Sequence, residues 1–228
     1  MSTRTLKKRT RKLRREPIPR PGIEGGKRDL NRKQRVDSLL AAALPLFLER
    51  GIEGVTIDDI VGAAGTAKGS YYRYFDDKAA LVRALFETAE ESVRAAFAKC
   101  EATLAAAKKT EELAPAYFVL AMELAAVVTE GPEIVRLYLQ EARGPAVAAR
   151  APVVLLAKLI FDASVRLTQV AHARGLLRPM DPRVSAAAVV GAAERLLFGA
   201  LSGEPLGEPE AVIQSLVTLV LEGLRAQR

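Results

Sequence analysis

From Val36 onward, apolar residues recur three and four positions apart, and no stretch shows the sustained alternation that a half-buried strand requires. Good helix formers, alanine and leucine above all, dominate the same region. The chain is therefore expected to be all-α. With 228 residues, half of them hydrophobic and 27% charged, it can bury a core as one large domain or two small ones.

The clearest periodic segment comes first. Val36, Leu39, Leu40, Ala43, Leu44, Phe47 and Leu48 share one helical face, Pro45 bends the helix from within, and Gly51 ends it. In VTIDDIVGAAG, residues 55–65, Thr56 and Asp59 have the spacing of a capping box. Ile57, Ile60, Val61 and Ala64 then make a short apolar face that Gly65 closes. Thr66 is placed to cap a third helix beginning at Ala67. A short helix, a glycine-containing turn and another short helix form the helix-turn-helix pattern. Asp76 and Asp77 open a fourth helix, their carboxylates at the positive end of its dipole. Leu81, Leu85, Ala89, Val93 and Phe97 carry it toward residue 107, a length of about 45 Å. Glycines and prolines divide the remainder into helices near 113–129, 132–143, 151–175, 182–202 and 208–226.

Charge is unevenly placed. Residues 1–35 hold 14 Lys and Arg against 3 Asp and Glu, a net of +11, which leaves 20 against 24, a net of −4, for 36–228. The tract MSTRTLKKRTRKLRRE, followed by Pro17, Pro19, Pro21 and then glycines, reads as a disordered arm on a semi-extended linker. So much like charge calls for a polyanion: nucleic acid first, an anionic membrane surface second. One cysteine, Cys100, excludes an intrachain disulfide, and one histidine, His172, leaves no cluster for a metal. Nucleophile–base pairs and phosphate loops are missing as well, so neither an enzyme nor a cofactor is expected. Charges such as Lys158, Asp162, Glu194 and Arg195 break the longest apolar runs, and no signal peptide follows the basic start. A soluble cytoplasmic protein with no membrane partner is expected.

Residues 35–86 resemble the tetracycline-repressor (TetR-type) family of bacterial transcriptional regulators. The strongest part is Ala64–Phe75, A-G-x-x-K-G-S-x-Y-x-x-F, with Lys78 in the first turn of the following helix. The resemblance implies a helix-turn-helix domain over 31–78, after an arm over 1–30, and a helical ligand-binding and dimerisation bundle over 79–228. It implies a homodimeric repressor that binds a pseudo-palindromic double-stranded DNA operator and leaves it on binding a small, mostly apolar effector. DNA contacts are carried over to Thr56, Thr66, Ala67, Lys68, Gly69, Ser70, Tyr71, Tyr72, Tyr74 and Lys78. Tyr74 stands where the family often has histidine, and the arm exceeds the usual extension.

Elementary chemistry agrees with much of that set. Gly69 costs about 1 kcal/mol in a helix interior, which close approach to DNA explains. Lys68 can reach a guanine or a phosphate, and Ser70 a base edge. Tyr72 and Tyr74 are rigid and carry hydroxyls to phosphate height, while Tyr71 is read equally as core or contact. A cation at Lys78 opposes the helix dipole, and a phosphate bound at that terminus removes the conflict. Phe75 joins Phe47 in the interior.

In the C-terminal half, SAAAVVGAAERLLFGAL is apolar nearly all round, so the helix is buried on more than one side, against a symmetry mate or within the chain. Tyr117, Phe118, Met122, Arg136, Tyr138, Phe161, Gln169 and His172 are the candidate lining of an effector pocket. Cys100 is expected to be an inert small hydrophobe.

Overall fold

The computed structural model describes residues 27–224. Among these the structure is helical, with no strand. The chain divides into two units, 1–35 and 36–228. Of the first, only the helical stretch from Lys27 is described, so the basic tract and its linker lie outside the described residues.

Helix α1, Lys27–Gly54, buries Leu39, Ala43 and Phe47 and carries Pro45 inside it. At Gly51 the backbone leaves helical geometry with φ 73° and ψ 158°, a region open in practice to glycine alone. A side chain there would also meet Glu141, whose Oε1 lies 3.1 Å from the Cβ position. Helix α2, Ile57–Ala63, begins with the capping box: Thr56 accepts from the Asp59 N–H, and Asp59 accepts from the Thr56 N–H. Gly65, at φ 62°, turns the chain into α3, Lys68–Tyr71. Thr66 does not cap α3. The N-cap is Ala67, which has no side chain to accept a hydrogen bond.

Helix α4, Lys78–Ala106, starts at Asp77, whose carboxylate accepts from the Ala80 N–H. It runs 29 residues, about 44 Å, and both cores are built along it. The first core gathers Leu39, Phe47, Ile60, Tyr71, Phe75, Leu81 and Phe86 with Leu137, Val153 and Leu156 from later helices. It therefore runs across the boundary expected at residue 78. The second joins Val93, Phe97 and Leu104 to Leu113, Leu120, Leu167 and Leu221.

The later helices are α5 (Leu113–Glu130), α6 (Pro132–Glu141), α7 (Ala151–Ala173), α8 (Pro182–Leu201) and α9 (Pro209–Leu224). Proline opens α6, α8 and α9, where its missing N–H costs nothing. By length and composition alone, Thr110–Glu130 and α8 could each cross a membrane, contrary to the expectation from their charges. In the bundle α5 packs against α4 and α9, and α8 against α7.

Gly51 tests this packing. Gly51→Ala forces a side chain into that backbone region and against Glu141, and should lower stability by about 1–3 kcal/mol. Urea unfolding followed by circular dichroism should show a lower midpoint at unchanged slope.

Candidate nucleic-acid interface and effector cavity

The segment 66–75 separates into core and surface. Tyr71 is 0% exposed. Its hydroxyl donates to the Asp77 carbonyl at 3.0 Å, and its ring packs against Tyr72 and Phe75, each with centroids 5.5 Å away. Burial pushes the hydroxyl well above the usual tyrosine range, so it remains a neutral donor. Tyr71 is thus an anchor of the helix-turn-helix core and, contrary to expectation, is not available to meet DNA. Phe75 and Phe47 are buried in the same core.

The rest of the segment faces outward. Tyr72 is 49% exposed, Ala67, Lys68, Gly69 and Arg73 are exposed, and Thr66, Ser70 and Tyr74 are half-buried. No atom lies within 4 Å of the place a Gly69 Cβ would take, so the protein's own packing does not require glycine there. Lys68 pairs with Asp58 at 2.9 Å, tying α3 to α2, and that carboxylate holds the ammonium above its usual value. An exposed pair of this kind is weak and can be exchanged for a phosphate. Thr56 is exposed, but its hydroxyl donates to Asp59 at 2.7 Å, so its proton is engaged by the capping box.

Lys78 has a different role from the one its position implied. Its Nζ donates to the carbonyls of Ile52 at 2.6 Å and Val55 at 2.7 Å, with the Glu53 carbonyl at 3.4 Å. The Glu53 carboxylate lies 4.0 Å away. A cation at the positive end of α4 is therefore balanced by the negative C-terminal end of α1. With three carbonyls around it, the ammonium has no donor left for a phosphate. Burial lowers its pKa while Glu53 and Glu141 oppose the shift.

Beside this junction lies a buried polar cluster that sequence reading missed. Glu141, 4% exposed, accepts from the Ile52 N–H at 3.1 Å and from Arg150 Nε at 2.6 Å. Gln140 donates to Glu141 and to the Phe47 carbonyl, both at 3.2 Å, while the Arg150 N–H donates to Glu53 at 2.9 Å. The end of α1 is thus held by the end of α6. One signal was available: Glu141 lies four positions after Leu137 and three after Tyr138, on the buried face of its helix.

Helices α4 to α9 line a partly open cavity of about 240 Å³. Of the eight candidate lining residues, Tyr117 and Tyr138 reach it; the other six do not. Phe118 faces a separate groove between α5 and α9. Met122 and Gln169 are exposed. Arg136 donates to the Leu201 carbonyl at 2.9 Å, closing the end of α8. Phe161 lies under the Arg183 guanidinium, and His172 Nε2 sits 3.0 Å from the Arg178 carbonyl. Cys100 is buried, its thiol pushed up to about 12, and therefore unreactive.

The fold and these surfaces define a class: a helix-turn-helix unit built onto a helical bundle with a partly open cavity. Residues 39–85 match the profile of the bacterial regulatory proteins of the tetR family. Over that segment the chain is similar to the DNA-binding part of TetR-type regulators. The uncharacterized HTH-type transcriptional regulator YvdT of Bacillus subtilis is 42% identical over 53 residues, 23% of this chain and 27% of that protein. The chain thus spans about a quarter of the length of the curated relatives it matches. Two solved structures share the fold over most of the chain. FadR from Bacillus subtilis in complex with stearoyl-CoA has a TM-score of 0.62 at 15% identity, covering 82% of this chain and 98% of that one. NalD, the secondary repressor of the MexAB-OprM multidrug efflux pump in Pseudomonas aeruginosa, has a TM-score of 0.63 at 20% identity, covering 86% and 100%.

The Lys78 geometry makes a distinguishing prediction. Lys78→Met leaves the Ile52 and Val55 carbonyls without their donor and should cost about 1–3 kcal/mol of stability. Differential scanning calorimetry should show the lowered melting temperature in the absence of DNA, which loss of a mere phosphate contact does not produce.

Proposed function

We propose that the chain is a homodimeric transcriptional repressor that reads a pseudo-palindromic operator through α3 and leaves it when a small, mostly apolar effector fills the cavity. The observation that carries this reading is the outward face of 67–74. Gly69 serves no internal packing, Tyr72 presents its ring and hydroxyl to solvent, and Lys68 is held only by an exposed pair. Such a face suits a major groove with flanking phosphates. Ala67, Gly69 and Ser70 approach base edges, while Lys68, Tyr72, Tyr74 and Thr66 reach the backbone. NalD, of the same fold, is described as a repressor, which supports the direction of control.

Dimerisation is argued from α8 and α9. Of the 20 residues of α8, only Ser185, Ala186 and Gly199 are buried, although the helix is apolar nearly throughout. Val184, Phe198 at 55% exposure and Leu219 at 71% lie uncovered. A second copy packed on α8 and α9 buries that surface and sets two reading heads at a fixed separation.

Release follows from the course of α6. Ile134, Val135 and Tyr138 line the cavity, and Gln140 and Glu141 hold the end of α1. An effector that shifts α6 shifts the head with it, and in doing so favours a bundle arrangement in which the heads no longer match the operator. The reading places the protein in the cytoplasm, where its DNA lies.

Two experiments test these points. On a selected operator duplex, Tyr72→Phe and Lys68→Ala should each weaken binding at unchanged melting temperature. Each lost phosphate contact should reduce the magnitude of the salt slope by about one unit. Unchanged affinity in both variants contradicts the assigned face. Separately, Phe198→Asp should convert a dimer to monomers in light scattering; a wild-type monomer at micromolar concentration contradicts the dimer.

A further inference from the structure

Within the cavity, charge is confined to one place. Among the described residues that line it, Glu194 of α8 alone is charged; the rest are chiefly aliphatic, with a few hydroxyls. Tyr138 donates to Glu194 Oε1 at 2.8 Å. Burial and that carboxylate push the Tyr138 hydroxyl far above its usual range, so it stays protonated. Arg143 pairs with Glu194 Oε2, but its side chain is 76% exposed and does not line the cavity. From inside, a ligand meets the carboxylate and not the guanidinium. The hydroxyls of Ser164 and Thr168 donate to helix carbonyls, leaving them poor donors to an anion. Tyr117 lines the cavity and makes no hydrogen bond within the described residues, and burial keeps its hydroxyl neutral.

We infer that the cavity selects a cationic amphiphile, an ammonium or amidinium group carried on an apolar body, with Glu194 as the residue that sets this preference. This rests on reading the cavity as the effector site. A carboxylate head placed beside Glu194 meets like charge in an apolar surrounding, whereas an ammonium group gains a charge-assisted hydrogen bond there. The exposed Arg143 is held weakly and can turn into solvent as the ligand cation replaces it. A volume of about 240 Å³ exceeds the roughly 150 Å³ that admits benzene in an apolar protein cavity. It therefore takes a medium alkyl chain or a fused ring pair.

Calorimetric titration of the full chain with decylammonium, decanol and decanoate, each below its micelle concentration, tests the inference. Decylammonium should bind at least about tenfold more tightly than decanoate, with decanol between them. Glu194→Gln, which preserves shape and the hydrogen bond from Tyr138, should abolish the difference between the two ions. Tyr138→Phe leaves the carboxylate charge in place and should keep it; the two variants together separate charge selection from general damage to the fold. If decanoate binds as tightly as decylammonium, or if Glu194→Gln leaves the ranking intact, the inference falls while the cavity remains an effector site. Should none of the three bind, the effector reading of the cavity falls too.

Discussion

The buried Glu141 carboxylate is the contact on which the junction of α1 with α6 depends. It joins two parts of the chain 89 positions apart by accepting from the Ile52 N–H, and it neutralises Arg150 in the same pocket. A carboxylate this deeply buried is tolerable only with every partner in place, since loss of one leaves an uncompensated charge. The arrangement therefore has little freedom to loosen gradually. Gly51 fits it from the other side, because only a residue without Cβ brings the α1 backbone so close. Lys78 gathers the neighbouring carbonyls from below. Anything that displaces α6 must carry the reading head with it or break this cluster.

The packing reinforces that coupling. A head of about fifty residues has too little apolar surface to be comfortable alone. Its core is completed by Leu137, Val153 and Leu156 from the bundle. Helix α4 extends from that core into the second, so head and bundle share a rigid rod. On this account Tyr138 stands at the centre: it lines the cavity, touches Glu194, and lies one turn from Glu141 on a ten-residue helix. Proximity of these groups gives a short physical path from the cavity to the end of α1.

Much of this could be read from sequence because helices here are punctuated by glycine and proline. The spans expected at 113–129 and 182–202 fall close to α5 and α8, and the Thr56 capping box forms as its spacing implied. Single side chains were harder. Tyr71 and Tyr72 are adjacent and identical in type, yet one is core and one surface, because a one-turn helix leaves no periodicity to separate them. Lys78 was read against its own helix, but its partners come from residues more than twenty positions earlier, which no local pattern reveals. Six of the eight pocket candidates lie off the cavity, since lining is decided by which face of each helix turns inward. Glu194 and Glu141 were passed over for the opposite reason, being acidic residues in helices where solvent exposure is the ordinary expectation.

Two copies of this chain, on the proposed function, read DNA through paired α3 helices. Selection of binding sites from a random duplex pool by the full chain, followed by sequencing, tests it most directly. The account predicts an enriched pseudo-palindrome whose half-site centres lie about one helical turn apart, 10–10.5 base pairs, or a multiple of it. Enrichment of no sequence above the starting pool, or of a single unpaired half-site, contradicts it.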